Sequence, residues 1–230
     1  VFQLQEVRKS YVRRGHAVTA LGTSSLEIAK GEYVAIVGPS GSGKSTMLSV
    51  LGGMLTPDAG KVLLDGVSLY DLSIAKRTAF RRERIGFVFQ TFNLVPYLTA
   101  LENVQIPLYL AGLPAVEQQA RATELLGRVG LGERIHHKPS ELSTGQQQRV
   151  ALARTLANDP PVILADEPTG NLDPDSRRIV LDFFDQLHAE SRTILVVTHD
   201  AIVAERAKRS FYLQDGAITD QAEQPKLRVA

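Results

Sequence analysis

Residues 38–46 read Gly-Pro-Ser-Gly-Ser-Gly-Lys-Ser-Thr, so Gly38, Gly43, Lys44 and Ser45 occupy the fixed places of the pattern G-x-x-x-x-G-K-[ST]. That pattern has a phosphate chemistry. Its glycines let successive backbone N–H groups turn toward an anion, and a following helix adds the partial positive charge of its N-terminus. Lys44 is placed to reach the outer phosphates of a nucleoside triphosphate, and the Ser45 hydroxyl to bind Mg2+. A glycine-rich turn that merely contains a lysine is the plainer reading. The flanks argue against it: the apolar run Tyr33–Val37 suits a strand, and Ser45–Leu55 has helical composition.

Other polar residues of catalytic type follow apolar runs elsewhere. Val162-Ile-Leu-Ala leads into Asp166 and Glu167. In a triphosphatase the first carboxylate joins the Mg2+ shell and the second faces the attacking water. Glu167 is the expected general base, a role commonly worth about 10²- to 10⁴-fold in rate. Gln90 follows Ile85-Gly-Phe-Val-Phe, and its neutral amide can ligate Mg2+ or orient water. His199 follows Thr193-Ile-Leu-Val-Val-Thr, where a ring N–H could hydrogen-bond a γ-phosphate and sense its loss. Taken singly, a surface glutamine and a strand-end histidine would explain these two as well. The segment Leu142-Ser-Thr-Gly-Gln146 opens a helical run to Leu156, so Ser143 and the Gly145 backbone form a second anion-binding helix terminus. With one phosphate loop already in the chain, that terminus is expected to serve another subunit's nucleotide. His136 and His137 lack metal-ligand partners at useful spacing and read as surface.

Residues so far apart in sequence need a scaffold that gathers them, and a parallel sheet does so. Ile85–Phe89, Val162–Ala165 and Thr193–Thr198 are short and β-branched, and each ends just before one of the residues above. In open α/β sheets, ligands collect beyond the carboxyl ends of the strands. Phe2–Lys9, Leu26–Ile28 and Lys61–Leu64, with turns at Gly31 and Gly66, read as an antiparallel β layer. From about Thr91 to Asp159 the composition turns helical, as in Val116–Val129 and Gln146–Leu156. Pro96, Pro107, Pro114 and Pro139 are expected at helix starts or breaks. The expected fold class is α/β: residues 1–90 and 160–230 supply the β layer and nucleotide core, and 91–159 form an inserted α-helical subdomain of a single domain.

Composition limits the alternatives. The 230 residues are 43% hydrophobic and 22% charged, enough for a sizeable core. Lys and Arg total 26 against 25 for Asp and Glu, and a net charge of +1 gives no electrostatic reason to expect nucleic acid or an anionic membrane as the primary partner. The absence of cysteine excludes a disulfide framework and fits a reducing compartment. No apolar stretch approaches the roughly 18 to 20 residues of a membrane span, and the first residues lack a basic-then-apolar leader. The expectation is a chain that neither spans a membrane nor is secreted by that route.

In family order, these motifs resemble an ATP-binding cassette (ABC) ATPase over nearly the full length. Gly38 to Thr46 matches the Walker A motif, which implies ATP contacts from Gly38, Pro39, Ser40, Gly41, Ser42, Gly43, Lys44, Ser45 and Thr46. Gln90 matches the Q-loop, Leu142–Gln146 the signature, Val162–Glu167 Walker B with its base, Asn171-Leu-Asp173 the D-loop and His199 the switch histidine. The resemblance implies a P-loop NTPase (RecA-like) core, ATP and Mg2+ as ligands, with Ser45, Gln90 and Asp166 on the metal, and catalytic roles for Lys44, Gln90, Glu167 and His199. It further implies a head-to-tail dimer in which Ser143, Gly145, Gln146 and Asp173 complete the partner's site. Tyr11 falls where the family stacks an aromatic on adenine. Thr144 departs from the usual glycine of the signature; if the position required φ > 0, a β-branched residue would cost about 1 to 2 kcal/mol.

The apolar segment Thr91–Val104 suggests a groove near Gln90 to Val104 for a coupling helix of an integral membrane permease. Burying about 200 Å² there is worth on the order of 5 kcal/mol before association costs. Phe92, Leu94 and Leu98 could equally belong to the subdomain's own core. Arg84–Pro96, continued by Leu98-Thr-Ala-Leu-Glu-Asn-Val, and Pro168-Thr-Gly-Asn-Leu-Asp173 resemble the branch that includes bacterial lipoprotein-releasing and macrolide-exporting ATPases. Such proteins sit on the cytoplasmic face of the inner membrane. A soluble ABC ATPase acting on DNA or ribosomes is the alternative, although neither a long coiled-coil insertion nor a tandem cassette is present. A kinase on the same loop would have no use for the signature segment.

Overall fold

The computed structural model describes residues 1–13 and 16–220. Their order is β1 (Phe2–Arg13), β2 (His16–Ile28), β3 (Tyr33–Val37), α1 (Lys44–Leu51), β4 (Ala59–Leu64), β5 (Val67–Ser68), α2 (Ile74–Arg84), β6 (Ile85–Val88), α3 (Ala100–Leu110), α4 (Ala115–Arg128), α5 (Thr144–Thr155), β7 (Val162–Asp166), α6 (Pro174–Ala189), β8 (Thr193–Thr198), α7 (Ala201–Ala204), β9 (Arg209–Gln214) and β10 (Ala217–Asp220). Short 3-10 turns at Gly132–Arg134 and Pro139–Glu141 lie between α4 and α5.

Two sheets result. The first is antiparallel with order β2-β1-β4-β5, and the second has order β10-β9-β3-β8-β7-β6, parallel from β6 to β9 with β10 antiparallel at the edge. Strands β3 and β8 are buried almost end to end, with apolar runs Val34–Val37 and Ile194–Val197, because helices or the other sheet cover both their faces. Helix α1 lies between the sheets: Met47, Leu48, Val50 and Leu51 share a core with Phe2, Leu4 and Val62 on one side and Val34, Ile36 and Leu195 on the other. The opposite face of the parallel sheet (Ala35, Ile163, Ile194) packs on Phe184 of α6 and on Val104, Leu125 and Val150 of the helical segment. The helical segment therefore shares the core of the sheet.

The expected strands and helices are present, with differences at the ends. β1 and β2 run much longer than Phe2–Lys9 and Leu26–Ile28, forming a 12- and 13-residue hairpin pair whose distal half carries little buried apolar surface. Pro107 departs from its expected place at a helix boundary: it lies inside α3. The ring removes one ladder bond, but Leu101, Val104 and Leu108 of α3 are buried, and this tertiary packing carries the helix through. The other three prolines stand outside helix interiors: Pro96 precedes α3, Pro114 caps α4 and Pro139 opens a 3-10 turn.

Candidate functional site

Loop 38–43 is wedged between the two sheets. A Cβ on Gly38 would stand 2.1 Å from the Leu213 carbonyl oxygen of β9, and one on Gly43 would stand 2.0 Å from that of Ala20 on β2. Gly43 also has φ 104°, in the left-handed region, so glycine is required there on two counts. The loop delivers Lys44 to the first turn of α1, where it is only 7% exposed. Its ammonium donates to the carbonyls of Gly38 (2.8 Å) and Pro39 (3.0 Å) and lies 3.8 Å from Glu167. The Ser42 hydroxyl is buried with no partner among the described residues. A loop that folds around its own lysine and leaves a hydroxyl unpaired has donors to spare for an anion.

The carboxyl ends of β7 and β8 face this loop. Burial pushes the Asp166 carboxyl above its ordinary range; a hydrogen bond from Ser45 opposes that, neighbouring Glu167 adds to it, and Lys44 opposes it. Glu167 has φ 44°, and its amide donates to the Val197 carbonyl (2.9 Å). Its side chain, 13% exposed, accepts from the Thr198 hydroxyl at 3.0 Å and lies 2.8 Å from His199 Nδ1. Lys44, Ser45, Asp166, Glu167 and His199 thus converge from three strands, as the sequence reading expects. Gln90, exposed beyond β6, leans on the D-loop turn: a Cβ on Gly170 would lie 3.2 Å from its Nε2, and Asn171 Nδ2 donates to its carbonyl at 3.3 Å. Tyr11 is 42% exposed, lies 3.5 Å from Thr46 Oγ1, and with Val18, Ala20 and Gly43 lines an open pocket of about 400 Å³ beside the loop.

The signature turn stands apart from these residues. Ser143 is the N-cap of α5, and its side chain and that of Gln146 form a reciprocal capping box. Among the described residues, no hydrogen bond links Ser143–Gln146 to Gly38–Thr46. Thr144 is the first residue of α5 and is not among the positive-φ residues, so the strain considered for it does not arise. Gly145 packs on α6: an added Cβ would stand 2.1 Å from Ser176 Oγ. Asp173 caps α6, accepting from the amides of Asp175 and Ser176, and the Ser176 hydroxyl, then the Ser176 amide, hold its carboxyl below the usual range. His136 is exposed and His137 half-buried. Phe92, Leu94 and Leu98 are half-buried, and Leu94 packs against the core, so part of that segment turns inward.

Some contributors carry no sequence signal of their own. Thr198, which fixes Glu167, reads only as the last residue of a strand. Asn103, fully buried in α3, binds both backbone groups of Val95 and the carbonyls of Leu98 and Thr99, pinning the chain after Gln90. Arg154 at the end of α5 donates to the carbonyls of Phe92 and Asn93.

A phosphate loop between strand and helix, with an acidic pair at the end of a parallel strand one removed in the same sheet, defines the class of P-loop ATPases. The family profile described as ABC transporter matches residues 21–170, and the chain belongs to that family. It is 50% identical over 218 residues to an uncharacterized ABC transporter ATP-binding protein of Thermotoga maritima, covering 95% of this chain and 93% of that one. It is 48% identical over 220 residues to the lipoprotein-releasing system ATP-binding protein LolD of Maricaulis maris (95% and 96% covered). Against the macrolide export ATP-binding/permease protein MacB of Hyphomonas neptunium it is 49% identical, spanning about a third of that longer protein (34%). Among solved structures, the ATP-binding cassette MJ0796, dimeric in a post-hydrolysis state with ADP and Pi, superposes with a TM-score of 0.89 at 43% identity, covering 96% of this chain and 98% of that one. The chain is an ABC ATPase.

Proposed function

We propose that this chain is the ATP-hydrolysing subunit of a transporter of the lipoprotein-releasing or macrolide-exporting type, working as a head-to-tail dimer on a membrane permease. The observation that carries the reading is the convergence of Lys44, Asp166, Glu167 and His199 at the strand ends, with Glu167 held by Thr198 and His199. The Gly38–Thr46 backbone and Lys44 bind the phosphates of ATP; the open side of the pocket, next to Tyr11, takes the adenine.

The oxygen donors present suit Mg2+. Ser45 is near enough to Asp166 to oppose the rise of its carboxyl, and Gln90 can add its amide oxygen. Mg2+ typically takes one or two carboxylates with substrate phosphates rather than a protein cage, and among the described residues no cluster of three or more acidic or His ligands exists. When bound there, the ion would neutralise charge on the phosphates. Glu167, an acceptor-only carboxylate, takes the proton of the attacking water, while Thr198 and His199 fix its direction. Ser143, Gly145, Gln146 and Asp173 serve the partner's nucleotide, which accounts for their separation from this chain's own loop.

Permease docking fits the groove lined by Phe87, Phe89, Ile106, Pro107, Leu110 and Arg154, about 400 Å³ in volume and adjoining Gln90–Val104. Tyr97 and Tyr109 stand exposed on the same helical segment. No helix among the described residues is long and apolar enough to cross a membrane, which suits a peripheral subunit on the cytoplasmic face held by its permease. The test is phosphate release from ATP without any acceptor, together with co-purification of an integral membrane protein. Acceptor-dependent transfer would replace the hydrolase reading, and isolation without a membrane partner would favour the soluble alternative.

A further inference from the structure

Gln148 lies on α5 beyond the signature turn and is fully buried. Its Nε2 donates to the carbonyl of Pro168 at 2.7 Å, and its Oε1 has no partner among the described residues. A buried amide with an orphan acceptor costs stability that an apolar side chain of the same length would not. Pro168 directly follows Glu167, whose left-handed backbone is otherwise held by its amide bond to Val197 and by Gly170 N–H donating to the Glu167 carbonyl (3.1 Å). We propose that Gln148 is a positioning residue for hydrolysis: it fixes the Glu167–Gly170 turn from behind and ties the base to the helix that carries the signature of the same chain. The inference rests on Glu167 as the base. It makes the signature helix, which meets the partner's nucleotide, a direct mechanical neighbour of this chain's own catalytic carboxylate.

Gln148→Met keeps the length and removes donor and orphan acceptor together; Gln148→Leu, run beside it, guards against a misfolded single variant. Expected for the folded variant is a kcat lowered about 10-fold or more, as for a displaced catalytic group, with KM within about twofold of the parent. Mixed dimers then separate positioning from support of the helix. One chain carries Glu167→Gln, so only the site using the other chain's Glu167 turns over. Gln148→Met should slow that site when it shares the chain with the intact Glu167, and leave it unchanged when it sits on the Glu167→Gln chain, which supplies the signature. Equal slowing from either chain, slowing only from the signature side, or a parental kcat in the homodimer would overturn the proposal. Parental turnover by Glu167→Gln alone would remove the base assignment and this inference with it, whereas an inactive Glu167→Gln beside a fully active Gln148→Met would sink the inference alone.

Discussion

At the scale of single residues, Glu167 holds a backbone angle that few non-glycine residues adopt, at a cost of order 1 to 3 kcal/mol. The turn is over-determined by its bonds to Val197 and Gly170, and the side chain by Thr198 and His199, so the strain aims a carboxylate instead of relaxing. Glu167→Gln keeps size and hydrogen-bonding reach but cannot take a proton. We expect it to bind ATP with parental affinity and to lose about 10²- to 10⁴-fold in kcat, as measured by steady-state phosphate release and equilibrium binding. Tyr11, proposed to stack on the adenine, is a smaller contributor on that reading. A stacked ring is worth about 0.5 to 1.5 kcal/mol beyond area burial, so Tyr11→Ala should weaken ATP binding roughly two- to tenfold; unchanged affinity would take Tyr11 out of the adenine site.

At the scale of elements, the capping residues and close contacts set what each helix can tolerate. Gly145→Ala places a methyl against Ser176, and overpacking of this kind costs about 1 to 3 kcal/mol. Chemical denaturation should show that loss, and Ser176→Gly in the same chain should recover most of it; no recovery would mean that the glycine is needed for another reason. Helix α3 starts with a capping box, Thr99 accepting from the Glu102 amide and Glu102 accepting from Thr99. Thr99→Ala should therefore cost about 1 kcal/mol. Bonds from the Thr99 amide, then its hydroxyl, hold the Glu102 carboxyl below its ordinary range. That contribution is present above the ordinary carboxylate range and is lost as pH falls through the depressed value. The stability gap between the parent and Glu102→Gln should close in acid, and a pH-independent gap would contradict the linkage.

These same elements show what sequence could and could not tell. The central strands and the polar residues at their ends were legible because fully buried parallel strands leave unbroken apolar runs. The site motifs were legible because phosphate chemistry restricts residue types within a short segment. Pro107 inside α3, the length of the β1–β2 hairpin and the strands β9 and β10 were not, because tertiary packing and pairing decide them. Asn103, Gln148 and Arg154 act through backbone carbonyls of distant segments, and such acceptors have no residue-type signature.

At the scale of the whole molecule, two cores flank one parallel sheet, and the strand ends between them carry the nucleotide groups. The signature turn opens the N-terminal end of α5 and, among the described residues, makes no hydrogen bond to the Gly38–Thr46 loop, so on the proposed reading one chain holds two incomplete halves of a site. On that reading, two copies in head-to-tail orientation complete both. Since the γ-phosphate is what ATP has and ADP lacks, differential contact with it must be what favours the closed pair. The most direct measurement is the solution mass of Glu167→Gln by light scattering, with nucleotide occupancy verified in the same samples. Twice the monomer mass is expected with ATP, and the monomer mass with ADP. A monomer with ATP demonstrably bound, or the same mass with either nucleotide, would contradict the closed pair.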